Sequence, residues 1–272
     1  MYPRLFELGP ITVYSYGLLL ALAYLGGLQL ALVRGRQRGL DPTKVMDLGI
    51  WIIVSALLGA KALLLIVEWH KFAENPRELL SLVQSGGVFY GGLILAVAVA
   101  FWYMWRHQMP LWTVCDTFAP GIAFGHVVGR FGCFMAGCCY GLETHVPWAI
   151  TFTDPFAAAN AGTPLNIPLH PTQLYEAGAE LLILVLLLAT EKRGRPFAGR
   201  TFWTYMLLYG ISRFIIEMYR GDPRGFVFAT LSTSQFISVL LVPLSLIMLA
   251  ILSRGAPSPD AAERRGQVRV AA

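Results

Sequence analysis

Two guanidiniums are set inside long apolar runs: Arg130 in GHVVGRFGCFMAGCCYG (125–141) and Arg213 in YGISRFIIEMYR (209–220). A charge in such a run is costly and usually faces a wet or polar interior, so each is a candidate for function. Their chemistry is that of a planar fork of donors, which grips phosphate or carboxylate oxygens two at a time. Each has companions at helical spacing. His126 precedes Arg130 by four residues, Tyr209 and Glu217 flank Arg213 by four on either side, and Arg220 follows. Neighbours three or four apart on a helix lie about 5–6 Å apart between Cβ atoms. An Arg213–Glu217 pair is by itself an ordinary structural ion pair, but packing does not require a whole polar stripe on an apolar helix. Cys133, Cys138 and Cys139 form the other reactive cluster. Their C-x4-C-C spacing is neither the C-x-x-C of a thiol–disulfide site nor a recognisable zinc pattern, even with His145 as a companion. They are expected first as compact packing residues, second as partners in a disulfide, and last as metal ligands or nucleophiles. Cys115 is expected to be inert packing.

The elements that must position these groups follow from composition. Of 272 residues, 56% are hydrophobic and 14% charged, and the apolar residues fall in blocks rather than stripes. That is the profile of a polytopic membrane protein. A hydrocarbon core about 30 Å thick needs roughly 20 apolar residues of helix. Seven blocks approach that length, at about 13–33, 46–67, 87–105, 112–131, 173–190, 201–219 and 235–253. The expected fold is all-α, a single bundle of seven transmembrane helices over residues 1–253, because backbone polar groups in lipid must be satisfied within each segment. An external arm, about 132–172, joins helices four and five, and residues 254–272 form a disordered cytoplasmic tail. The start, MYPRLFELGP, lacks the basic region and cleavage site of a signal peptide, so the first helix is expected to be retained. No internal repeat is visible.

Orientation follows from the lysines and arginines outside the blocks. Arg34, Arg36, Arg38, Lys44, Arg106, Lys192, Arg193, Arg195, Arg200, Arg254, Arg264, Arg265 and Arg269 share one side, against Arg4, Lys71, Arg77, Arg220 and Arg224 on the other. Residues 131–172 contain no Lys or Arg. The positive-inside rule makes the first side cytoplasmic, the N-terminus periplasmic and the arm external. The basic balance, net charge +5, then reports topology and contact with anionic lipid, not nucleic acid. The third basic residue inside a block is Lys61. With this topology Lys61, Arg130 and Arg213 lie in outer halves of their helices. Tyr16, Tyr90, His170, Gln173, Tyr175, Glu176 and residues 232–235 reach the same level from other segments, while Asp116 lies near the inner face. A polar site open toward the outer leaflet is implied. Tyr14 reads as an interfacial anchor and the glycines of 121–141 as points of close helix approach.

The order of these pieces resembles the bacterial prolipoprotein diacylglyceryl transferases over nearly the whole chain. The family signature G-R-x-G-N-F-x-N-x-E, followed by a glycine, is matched by GRFGCFMAGCCYG through Gly129, Arg130, Gly132, Phe134 and Gly141. The family's H-G-G-L-I-G appears as YGGLIL at 90–95, with Gly91 and Gly92. YSYGLL, CDTFAPGIAFG, VPWAITF, LHPTQLYE, YGISRFIIEMYR and STSQFISV follow the family order. The resemblance implies transfer of diacylglyceryl from phosphatidylglycerol to the lipobox cysteine of a prolipoprotein signal peptide in the inner membrane, releasing glycerol 1-phosphate. It implies a site in which Arg130 and Arg213 hold phosphate and Glu217 orients Arg213. Tyr16, Gly91, Gly92, Gly129, Cys133, Gly141, His170 and Tyr209 would contact substrate. No metal or organic cofactor is called for.

Three departures from the family pattern limit what carries over: Tyr90 replaces a histidine, Cys133 an asparagine and Cys138 a glutamate. The missing histidine removes a proton acceptor, for which tyrosine is a poor substitute at neutral pH. His126 is the alternative base, with Tyr90 a hydrogen-bond donor to the head group. Two other readings remain open on the sequence: a non-catalytic lipid-binding or lipid-transport protein on the same bundle, and a thiol oxidoreductase using the cysteine trio.

Overall fold

The computed structural model describes residues 2–8, 11–75, 87–191, 197–223, 225–227 and 231–254. The expectations for the tail 255–272, and for Arg77, Lys192, Arg193, Arg195 and Arg224, lie outside the described residues. A hairpin of β1 (Arg4–Leu8) and β2 (Ile11–Tyr14) leads into α1 (Ser15–Gln37). Then come α2 (Pro42–Val67), α3 (Trp69–Glu74), α4 (Phe89–Arg106) and α5 (Leu111–Ala136). The α5–α7 connection holds β3 (Ile150–Thr151), α6 (Pro155–Ala161) and β4 (Pro168–Leu169), with β3 and β4 antiparallel. The chain continues through α7 (Thr172–Thr190), α8 (Arg200–Glu217), the pair β5 (Phe226–Val227) and β6 (Leu231–Ser232), and α9 (Thr233–Arg254).

Among the described residues, five helices are long and apolar enough to cross a membrane: α1, α2, α4, α7 and α9. The remaining long helices, α5 and α8, are the ones that carry Arg130 and Arg213, together with His126, Asp116 and Glu217. Their polar groups dilute the hydropathy that identifies the others. Helix α5 runs five residues past the end expected from the sequence, which puts Cys133 on the helix rather than in the connection.

The described chain divides into two compact units, residues 31–114 and residues 1–30 with 115–272. In the first, α2 starts at Asp41, whose side chain accepts from the Thr43 N–H at 2.8 Å, with Pro42 in the first turn. Helices α2 and α4 cross on glycine. A Cβ on Gly91 would run into the Gly59 carbonyl, and one on Gly92 would lie 2.7 Å from the Ala56 carbonyl. The glycines of YGGLIL, assigned to substrate from the sequence, thus have a packing reason of their own. Tyr90 beside them is exposed and sets its ring edge-on to Phe89 at 5.7 Å.

In the second unit α1 and α5 meet where Gly27 and Gly121 face each other. A Cβ on Gly27 would lie 2.8 Å from the Gly121 carbonyl. Helix α8 starts without a side-chain cap of its own, on Gly199 at φ 95°. The cap comes from α5: buried Asp116 accepts from Gly199 N–H and Phe202 N–H, each at 2.8 Å. A carboxylate there satisfies orphan donors and faces the positive end of the helix dipole. Above it an apolar core of Ala119, Ala123, Ile183, Leu184, Leu187 and Tyr205 joins α5, α7 and α8.

The connection 137–171 has a small core of its own, Tyr140, Phe152 and Leu169. It is anchored by backbone. Gly141 N–H donates to His170 C=O, His170 N–H to Leu142 C=O, Leu142 N–H to Tyr219 C=O and Gly221 N–H to Tyr140 C=O, at 2.8–3.1 Å. Three chain segments meet at Gly141. A Cβ there would collide with the His170 carbonyl and lie 2.8 Å from that of Tyr219.

Candidate active site

Helical spacing places the polar groups of three helices on facing stripes. On α5 these are His126, Arg130 and Cys133, on α7 Glu176 and Glu180, and on α8 Tyr205, Tyr209, Arg213 and Glu217. Every step is three or four residues, so each set shares one helix face. Buried Glu176 is the hub. Its Oε2 meets Arg130 Nη2 at 2.6 Å, and its Oε1 meets Arg213 Nη1 at 2.5 Å and Arg220 Nη1 at 2.9 Å. Arg213 reaches Glu217 at 2.9 Å through Nη2, which also donates to Ser234 Oγ of α9 at 3.1 Å. Arg220 makes a bidentate pair with Asp222, both bonds 2.8 Å. Burial works against the Arg220 charge, but its bonds to Asp222 and the negative groups around it, Glu176 among them, hold it more firmly protonated than an ordinary arginine.

Three arginines against Glu176, Glu217 and Asp222 balance in formal charge, as burial requires. Arg130 differs from the other two. Its side chain keeps 18% exposure against 8% for Arg213 and 2% for Arg220. Its ion pair uses Nη2, and Nε and Nη1 make no hydrogen bond to the described residues. The neighbouring Gly129 faces open space, where an added Cβ would meet nothing within 4 Å.

A second rung lies one turn along. His126 Nδ1 is 3.0 Å from Glu180 Oε1 and 3.1 Å from the Tyr205 hydroxyl, and the ring lies 5.5 Å from that of Tyr209. The other carboxylate oxygen of Glu180 is buried and has no hydrogen-bond partner among the described residues. With Nδ1 occupied, Nε2 is the atom through which His126 could exchange a proton.

The structure therefore brings Arg130, Arg213, Glu217, His126 and Tyr209 together, as expected from the sequence. Tyr16 stands beside the end of α5, where a Cβ on Gly132 would approach its ring to 3.2 Å. His170 and Gly141 lie at the backbone crossing. The His170 ring contacts Tyr175 Oη through Nδ1 at 3.0 Å and Tyr219 edge-on at 5.2 Å, which accounts for both residues by anchoring. Glu180 and Tyr205 escaped the sequence reading, as did the hub role of Glu176. Intramembrane acids at Glu176 and Glu180, four apart in LYEAGAELL, were the available signal. The cysteines, expected as separate packing residues, are free, and the sulfurs of Cys133, Cys138 and Cys139 lie within 4.8 Å of one another. Left-handed backbone at Gly137 (φ 80°) and Cys139 (φ 62°) folds the pair back toward the helix end.

Residues 3–251 match the model of the prolipoprotein diacylglyceryl transferase family. The chain belongs to that family. It is 36% identical over 252 residues to the phosphatidylglycerol–prolipoprotein diacylglyceryl transferase of Clostridium tetani, covering 92% of this chain and 98% of that one. A second such transferase, from Clostridium perfringens, is 34% identical over 237 residues, covering 87% and 90%. The transferase of Synechococcus elongatus is 30% identical over 263 residues, covering 94% and 90%. Family membership extends over both compact units and includes every residue of the arginine–glutamate cluster.

Proposed function

We propose that this chain transfers the diacylglyceryl group of phosphatidylglycerol to the lipobox cysteine of prolipoproteins, releasing glycerol 1-phosphate. The observation that carries the chemistry is Arg130, a guanidinium tied by one nitrogen to Glu176 and offering two others beside an open space. The donor's phosphodiester is an anion whose oxygens match that fork. In the reaction the acceptor sulfur attacks the terminal glyceryl carbon, the C–O bond to phosphate breaks, and its electron pair leaves with the phosphate. Arg130 takes up the charge that gathers there, with Arg213 behind it, held by Glu217 and Glu176. Tyr16 and Tyr209 hydrogen-bond the head group, and Cys133 belongs to the same substrate surface. The membrane frame is one domain, residues 1–253. Its seven helices span the inner membrane, with the N-terminus and the 132–172 arm periplasmic, the C-terminus cytoplasmic, and the site toward the outer leaflet. Incubation with phosphatidylglycerol and a lipobox peptide tests the activity: the cysteine peptide gains the diacylglyceryl mass and the serine peptide does not. Lipid binding with no modified thiol would establish the non-catalytic alternative.

Gly129→Ala separates substrate space from packing. Alanine in a helix interior is favoured over glycine by about 0.5–1 kcal/mol, and the added methyl meets no protein atom. The variant is expected to unfold at or above the parent temperature yet to transfer at least about 10-fold more slowly, with KM for phosphatidylglycerol raised. Unchanged kinetics would take the head group away from this position.

His126, fixed by Glu180, is the proposed base for the acceptor thiol. The titratable groups around it are Glu180 on α7, Tyr205 and Tyr209 on α8, and Arg130 on its own helix. In His126→Gln the rate is expected to fall about 10²-fold in protein that still folds. A near-parental rate in the folded variant would clear His126 of the role.

A further inference from the structure

Resting on that reading of the activity, we propose that Cys133, Cys138 and Cys139 form a three-sulfur zinc site whose open fourth position takes the acceptor thiol. The three sulfurs lie within 4.8 Å of one another, half-buried, where the end of α5 meets the start of the 137–171 connection. Zinc–sulfur bonds of about 2.3 Å put tetrahedral sulfur ligands about 3.8 Å apart, so each sulfur needs to move inward by no more than about 0.6 Å. The backbone is built to keep them there. Cys139 adopts φ 62°, which costs a non-glycine residue on the order of 1 kcal/mol, and the turn is tied down from α7. Thr172 Oγ1 donates to the Cys139 carbonyl at 2.8 Å and Gln173 Nε2 to that of Cys138 at 2.7 Å.

Soft sulfur ligands select zinc or copper(I) over the hard cations. Among the described residues no fourth His, Cys, Asp or Glu joins the three. Three protein ligands with one position left open is the arrangement of catalytic rather than structural zinc. Three thiolates on a divalent ion carry one net negative charge, and Arg130 stands on the same helix face, one turn before Cys133.

The consequence for the reaction is direct. A thiol that coordinates zinc is deprotonated. The acceptor R–SH displaces a zinc-bound water and releases its proton through solvent toward His126, seven residues and about 10 Å before Cys133 on α5, and the zinc-bound thiolate then attacks the glyceryl carbon. The new C–S bond forms as the C–O bond breaks, and glycerol 1-phosphate leaves with the electron pair. The metal undergoes no redox change. A site of this kind acidifies the acceptor thiol and so lessens the need for the base that Tyr90 is poorly suited to be, and it uses the residues standing in place of the family's asparagine and glutamate.

The full-length protein, purified in detergent with reductant, is expected to carry one zinc per chain. It should also bind cobalt(II) with a thiolate-to-metal charge-transfer band. A cysteine-containing lipobox peptide should shift that spectrum and its serine counterpart should not. Cys138→Ser with Cys139→Ser removes the metal, and Cys133→Asn, which installs the family residue, serves if the double variant fails to fold. Chelation should lower transfer at least about 10²-fold, with zinc restoring it. No metal above the level of the variants, a disulfide within the trio in the active protein, or a cobalt spectrum blind to the cysteine peptide would each overturn the proposal. Transfer by metal-free protein removes the zinc and leaves the activity. Metal bound by a protein that modifies no peptide removes the activity and with it the zinc's catalytic role.

Discussion

Arg130→Ala is expected to lower diacylglyceryl transfer at least about 10³-fold in protein that still inserts and unfolds cooperatively. The effect is large because, in the proposed reaction, the lost guanidinium faces charge that grows as the phosphate leaves, in a site screened less than bulk water would screen it. The loss in stability should be modest by comparison, since Arg213 and Arg220 continue to neutralise Glu176. Arg130→Lys is the sharper test. Lysine keeps the charge but brings a single ammonium to a place where Nη2 reaches Glu176 and where, in the proposed reaction, Nε and Nη1 take the phosphate. It should recover no more than about one-tenth of the activity. A lysine variant with parental kcat would show that charge alone is sufficient and that the fork is irrelevant. Peptide lipidation measured by mass shift at saturating phosphatidylglycerol, beside thermal unfolding in the same detergent, separates the two quantities.

Glu176→Gln should damage both. Glutamine keeps nearly the same shape and one acceptor oxygen, so the change isolates the negative charge. Arg213 retains Glu217 and Arg220 retains Asp222, but Arg130 loses its ion-pair partner and the cluster acquires an uncompensated positive charge. Breaking a buried pair from one side costs about 3–5 kcal/mol, because the remaining charge stays out of water. The unfolding midpoint should therefore drop well beyond the scatter of surface variants, and transfer should fall about 10²-fold. Combining Glu176→Gln with Arg220→Gln restores the charge balance and should recover part of the stability but not the rate, since coupled neighbours are not additive. A midpoint unmoved by Glu176→Gln would show that the arginines are neutralised by some other group.

Much of this was legible before the fold was known, for identifiable reasons. A charge in an apolar run contrasts with its surroundings on a one-dimensional scale, which is why Arg130 and Arg213 could be picked out. Spacing of four on one helix is equally local, which gave Glu217 and His126. Glu176 as a hub could not be read, because the convergence of three arginines on it depends on the rotational phase of α5, α7 and α8 about their axes. Glu180 failed for the same reason: its partner His126 is 54 residues away. The cysteine trio depends on two left-handed residues, and only the glycine advertises such a conformation. The two-residue strands β3 to β6 are too short to show a period. Gly91, Gly92 and Gly141 stood out in the sequence as candidate substrate contacts, and the structure shows close backbone approach at each, which the sequence could not distinguish from a ligand contact.

The cap on α8 bears on how the protein is made. Asp116 precedes Gly199 by 83 residues, so on the ribosome it is synthesised well before the helix whose start it satisfies. When Gly199 and Phe202 emerge, the acceptor for their N–H groups is already present on α5, and α8 can form against a template rather than alone. Synthesis from the N-terminus thus coincides with the order in which the contacts become available. Circular permutation that places α8 ahead of α5 would keep every residue of the site and reverse that order. Such a chain should accumulate, after translation, as a species that proteases cut near residue 199.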